Sequence, residues 1–110
     1  MIRVDIRRQS DRLISGFTVT GHAEYDVPGK DIVCSGVSAV TIGTVNAVEA
    51  LLHVDLIPSV KSGYLSVDVP EIMDPIQSQN CQLLLESMVV MLQGIELSYQ
   101  AFITIREIII

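Results

Sequence analysis

Between residues 2 and 7 the chain reads Ile-Arg-Val-Asp-Ile-Arg, apolar and charged side chains alternating with period two, which predicts a strand with one face on a core. Residues 12 to 20 continue in the same way with Leu13, Phe17 and Val19, and the polar stretch Gln9-Ser10-Asp11 between the two runs makes them an opening hairpin. The period then changes. From 32 to 54, Val33, Val37, Val40, Thr44, Val48 and Leu51 or Leu52 recur every three or four positions, predicting a long helix despite its β-branched content. Its small residues Ser35, Gly36, Ser38, Ala39, Gly43 and Ala47 suit close packing against a neighbour. Pro58 closes that segment, and Leu65, Val67 and Val69 alternate with Tyr64, Ser66 and Asp68 in one strand or a strand pair ended by Pro70. Helical spacing returns from about 75 to 99 with Cys81, Leu84 or Leu85, Met88, Leu92, Ile95 and Tyr99 inside and Gln82, Glu86, Gln93 and Glu96 outside. The last stretch, 102 to 110, is strand-like by its isoleucines, although Glu107 interrupts the apolar face.

The order strand, strand, helix, one or two strands, helix, strand fits an α+β two-layer sandwich. The expected architecture is a mainly antiparallel sheet of four to five strands with two long helices on one face, in a single domain over residues 1–110. Composition adds an expectation about assembly. With 49% apolar and only 18% charged residues, a chain of this size cannot bury all its apolar surface alone, which points to a homodimer. Uninterrupted apolar runs stay far below the roughly 18 residues of a membrane span, and no tripartite leader opens the chain, so a cytoplasmic protein without membrane attachment is expected.

Charge narrows the partners. A net charge of −6 argues against direct nucleic-acid binding, whose affinity comes from cations on phosphates. Four of the seven basic residues, Arg3, Arg7, Arg8 and Arg12, nevertheless fall in the opening hairpin, either as a solvated edge strand or hairpin or as a patch facing an acidic partner or RNA. The two cysteines, Cys34 and Cys81, lie outside any Cys-x-x-Cys or zinc-ligand spacing, so reduced thiols and no metal or other cofactor are expected.

The candidate chemistry lies between positions 21 and 38, Gly-His-Ala-Glu-Tyr-Asp-Val-Pro-Gly-Lys-Asp-Ile-Val-Cys-Ser-Gly-Val-Ser. A cysteine is a nucleophile only as its thiolate, and an ordinary thiol of pKa about 8.5 is a few per cent ionised at pH 7. Asp31 is placed to cap the first long helix, which puts Cys34 in the first turn, where free N–H groups and the helix dipole favour an anion. Complete ionisation is worth only about 2 kcal/mol, so peptide hydrolysis also needs a proton carrier and an oxyanion site. His22, after Gly21 at the end of the second strand, is the available general base, and the first-turn amides are candidate oxyanion donors. Pro28-Gly29 marks a turn in the loop between them, which also carries Ala23, Tyr25 and Asp26 and is composed to move over a site. Asp31 has a second available role as orienter of His22, and Ser38, one turn after Cys34, is on the same helix face. Cys81 and His53 read as structural.

The stretches "GHAEYDVPGKDIVCSGVSAV", "GTVNAVEALL" and "LLLESMVVMLQGIELSY" together resemble the Prp family of ribosomal-processing cysteine proteases over nearly the whole chain. The resemblance implies a catalytic dyad at His22 and Cys34, puts the family's motif aspartate and serine on Asp31 and Ser38 in supporting roles, and matches its loop positions at Gly21, Ala23 and Gly29, in a loop expected to meet substrate that also carries Tyr25, Asp26 and Pro28. It further implies a cytoplasmic homodimer that removes the N-terminal extension of a large-subunit ribosomal protein precursor, cutting after an aromatic residue. Asp26 stands where family members often carry a small residue, and Ser35-Gly36 replaces the usual Ala-Ala or Ala-Gly. The alternative reading is a non-catalytic ribosome-associated module that binds through the arginine-rich hairpin.

Overall fold

The alternating patterns become five strands, and the two runs with helical spacing become helices, in a computed structural model that describes all 110 residues. The elements are β1 (Ile2–Arg8), β2 (Ile14–Thr20), α1 (Ile32–Leu52), β3 (Ser59–Lys61), β4 (Tyr64–Asp68), α2 (Pro75–Ser98) and β5 (Ile103–Ile109). The sheet order is β3-β4-β2-β1-β5. Three of its four pairings are antiparallel, and β5 joins β1 in parallel, so the sheet is mixed with an antiparallel majority. The parallel pair arises because α2 carries the chain back along the sheet between β4 and β5. The region after Pro58 is a hairpin, closed by the two-residue turn Ser62-Gly63, with Gly63 at φ +67°.

Period two decides which face is covered. Ile2, Val4 and Ile6 of β1, Phe17 of β2, Leu65 and Val67 of β4 and Ile103 of β5 are all buried and in register with one another. They pack beneath Val33, Val37, Val45 and Val48 of α1 and Leu85, Met88, Val89 and Leu92 of α2. Each helix is long and apolar enough to resemble a membrane span by composition, yet each gives one stripe to this core.

The arginine-rich segment is a hairpin with Arg3 and Arg12 exposed, but not an edge, because β1 lies inside the sheet between β2 and β5. Alternation places Arg8 on the core side, where it is 7% exposed. Its guanidinium donates to both Glu86 oxygens (2.7 and 2.8 Å) and to Glu107 (2.9 and 3.1 Å), so the charge that interrupts the β5 apolar face has its partner there. Arg7 is likewise engaged, with Thr18, Val67 O and Asp68. Removing Arg8 leaves two adjacent carboxylates without a counter-ion. Because both glutamates are partly solvated, Arg8→Ala is expected to cost about 2 kcal/mol, less than for a fully buried pair, and to lower Tm by about 10 °C. Thermal unfolding checks this, and an unchanged Tm would show that solvent already carries the charges.

Topology brings several ends together. The start of β1, the end of β2, the β3–β4 turn, the first turn of α1 and the C-terminus of α2 converge at one end of the sandwich. Backbone bonds lock two of them there, since Gly21 N–H donates to Gly63 O (2.9 Å) and the Met1 nitrogen donates to His22 O (2.6 Å). Gly21, at φ +87°, has the Met1 carbonyl where a Cβ would stand, so only glycine fits.

Candidate active site

Asp31 starts α1 with extended backbone, and its Oδ1 accepts from Val33 N–H and Cys34 N–H, both at 3.0 Å. Its Oδ2 accepts from Tyr25 N–H (2.9 Å) and Asp26 N–H (3.3 Å). The carboxylate therefore ties the loop to the helix, and the imidazole of His22 is not among its partners. Burial opposes ionisation of Asp31, but the four backbone N–H groups, Cys34, Asp26, Tyr25 and Val33, outweigh it and hold the carboxyl below its ordinary value. The unfolded chain then binds the proton more readily than the folded one. This stabilisation is complete above the ordinary carboxylate value near 4 and is lost as pH falls through the lower folded value. Unfolding midpoints measured from about pH 5 downward should decline more steeply for the unmodified chain than for Asp31→Asn; parallel profiles would contradict the assignment.

The cap fixes Cys34 in the first turn of α1, half-buried, with Ala23 N–H donating to its Sγ at 3.2 Å. A thiolate accepts that bond better than a thiol does. One sequence-based expectation needs correction. Three of the first-turn amides are already engaged, because Val33 and Cys34 N–H are taken by the Asp31 carboxylate and Ser35 N–H by the Asp31 carbonyl (3.0 Å). Ala23, itself buried, supplies an N–H group to the sulfur.

His22 is exposed and stands across a shared cavity from Cys34, without a direct hydrogen bond to it. Its ring lies against the β3–β4 turn, where a Cβ on Gly63 would come 2.8 Å from Nε2. No local pattern pointed to Gly63, which is 41 positions further along the chain, although Ser-Gly between two apolar-alternating runs is itself a hairpin signal.

Two cavities meet at this pair. One of about 150 Å³ is mostly apolar, bordered by Val37, Ser38, Thr41, Val60, Tyr64 and Leu65. The other, of about 530 Å³, is bordered by Glu24, Asp26, Pro28, Gly29, Ser35 and Ser62. Ser38 thus faces the narrow cavity, while Asp26, Pro28 and Gly29 form the rim of the wide one. Pro28-Gly29 makes a turn closed by Lys30 N–H to Val27 O (3.0 Å), with Gly29 at φ +87° as a type II turn requires. Tyr25 borders neither cavity; its ring meets Tyr99 and Phe102 edge to face. Cys81 is fully buried, which pushes its thiol above the ordinary value, and His53 caps the far end of α1 in a left-handed conformation.

A half-buried thiol at a helix start, with an N–H group on the sulfur and an imidazole across the cavity, is equipment for nucleophilic chemistry. Comparison with known proteins decides the family, since the profile described as "Cysteine protease Prp" matches residues 1–104. The chain belongs to the cysteine protease Prp family. It is 42% identical over 102 residues to the ribosomal processing cysteine protease Prp of Bacillus subtilis, covering 91% of each chain. It is 36% identical over 104 residues to the protein of the same description in Staphylococcus aureus, covering 90% of this chain and 92% of that one. The crystal structure of the S. aureus ribosomal processing protease Prp with a covalently linked product peptide superposes with a TM-score of 0.83 at 32% identity, covering 97% and 99% of the two chains. Membership in the Prp family makes this chain a cysteine protease and sets aside the non-catalytic reading, for which Arg7 and Arg8 are in any case occupied in ion pairs.

Proposed function

We propose that the chain is a cytoplasmic endopeptidase that removes an N-terminal extension from a large-subunit ribosomal protein precursor, with Cys34 as nucleophile and His22 as general base and acid. The observation that carries the reading is the Ala23 N–H on Cys34 Sγ in the capped first turn of α1, with His22 lining the same cavity. In the reaction Cys34 Sγ attacks the scissile carbonyl carbon while its proton passes to His22. Collapse of the tetrahedral adduct breaks the C–N bond, His22 protonates the leaving amine, and water then hydrolyses the thioester. Catalytic hydrogen bonds often close only around substrate, so a separated pair is compatible with this role. The apolar cavity beside Ser38 suits a hydrophobic side chain next to the cut, and the covalently linked product peptide in the S. aureus relative supports a peptide substrate. Asp31 and Gly21 act by holding the loop and the strand end.

The homodimer is part of the same proposal. Ile76, Leu83, Val90 and Leu97 recur every seven residues along α2 and are 68, 68, 67 and 78% exposed, an apolar stripe suited to a second helix.

The test incubates the protein with the precursor carrying its N-terminal extension and reads products by mass spectrometry. A single cut at the extension boundary is expected, and an intact precursor beside active protein would overturn the substrate assignment.

Gly63 provides a separate check on His22. Ala at this position keeps a left-handed backbone at a cost of about 1 kcal/mol and pushes a Cβ into the imidazole. Displacement of the ring by a few tenths of an ångström should lower kcat about tenfold while Tm falls by only a few degrees. Unchanged kcat would separate His22 from the chemistry.

A further inference from the structure

We propose that Tyr25 is a positioning residue for the nucleophile: its ring, lodged edge-on against Tyr99 and Phe102, holds the 22–31 loop so that Ala23 N–H stays on Cys34 Sγ. The inference rests on the reading of Cys34 as the nucleophile and assigns Tyr25 a role away from substrate. The ring centroid of Tyr25 is 5.6 Å from that of Tyr99 and 5.1 Å from that of Phe102, with interplanar angles of 89° and 77°. Tyr99 caps the C-terminus of α2 and Phe102 precedes β5, so the contact joins the loop to the α2–β5 connection.

The loop has few other restraints. Its 27–30 turn bonds only to itself, and there is open space where a Cβ would stand on Gly29. The inner half is tied through Asp31 Oδ2 to the amides of Tyr25 and Asp26, and Ala23 N–H bonds the sulfur two residues before the ring. Tyr25 is thus the only side chain in this stretch that anchors it by aromatic contact to another element. Each edge-to-face pair biases a local equilibrium by roughly 2- to 10-fold. At 42% exposure the ring adds little to the core, so its loss should act on the loop rather than on the fold.

The experiment compares Tyr25→Ala and Tyr25→Phe with the unmodified chain in two readouts: kcat and KM on a cleavable peptide, and hydrogen exchange of the amides from Ala23 to Asp31. Tyr25→Ala is expected to lower kcat about tenfold, with KM changed less than about threefold, and to speed loop exchange about tenfold. Tyr25→Phe, which keeps the ring, should stay within about twofold of the unmodified chain in both. The proposal is overturned by unchanged exchange in Tyr25→Ala, by faster exchange with unchanged kcat, by a loss confined to KM, or by equal losses in the two variants. Exchange needs neither substrate nor turnover, so a chain that cleaved nothing would defeat the proposed function while the tether itself was still measured.

Discussion

Cys34→Ala is expected to leave peptide cleavage roughly 10⁴-fold or more below that of the unmodified chain, with folding intact. The magnitude follows from the kind of step removed. Without the sulfur there is no thioester, and the remaining groups must activate water with donors aimed at an atom that is gone. Residual acceleration then comes only from binding and orientation, the fraction that survives when a covalent nucleophile is deleted elsewhere. Stability should barely change, because Cys34 is half-buried and alanine is a good helix former in the first turn of α1. Cleavage rates with matched thermal unfolding check both halves. A variant that retains even a tenth of the activity would mean that another group attacks the peptide, and buried Cys81 is not a credible substitute.

The second large effect belongs to His22→Ala, for which kcat should fall about 10³-fold while KM changes little. His22 has two duties in the proposed cycle, taking the thiol proton and returning it to the amine, and no second imidazole stands near the cavity, since His53 lies at the opposite end of α1. Added imidazole should restore part of the rate, because an exposed site admits a small base. Steady-state kinetics with and without imidazole decide it. Loss expressed in KM alone would make His22 a substrate contact.

The readable parts of the molecule are those set by short-range pattern. Period two in β1 and period 3.6 in both helices reflect burial of one face, and the Asp31 cap is a local event three residues long, so Cys34 could be placed in a helix start from the sequence. Contacts between distant segments carried no such signal. Arg8 looked like one member of a surface cluster, yet alternation with Ile2, Val4 and Ile6 had already assigned it to the inner face, and only Glu86 and Glu107, 78 and 99 positions away, make that placement tolerable. The parallel partner of β1 was hidden because a strand sequence does not record its neighbour's direction. At the site, Gly63 against His22 and Tyr25 against Tyr99 and Phe102 are likewise products of topology. The amides assigned to an oxyanion show a different limit: helix-start N–H groups are free only until the cap is counted, and Asp31 uses two of them.

If cleavage runs through the Cys34 sulfur, stoichiometric alkylation of that sulfur must abolish it. Native protein treated with iodoacetamide at pH 6 to 7 should take up label at Cys34 well before buried Cys81, with site occupancy read by peptide mass spectrometry. Activity should decline in proportion to Cys34 occupancy, and substrate peptide should slow both together. Full labelling of Cys34 with cleavage undiminished would contradict attack by that sulfur.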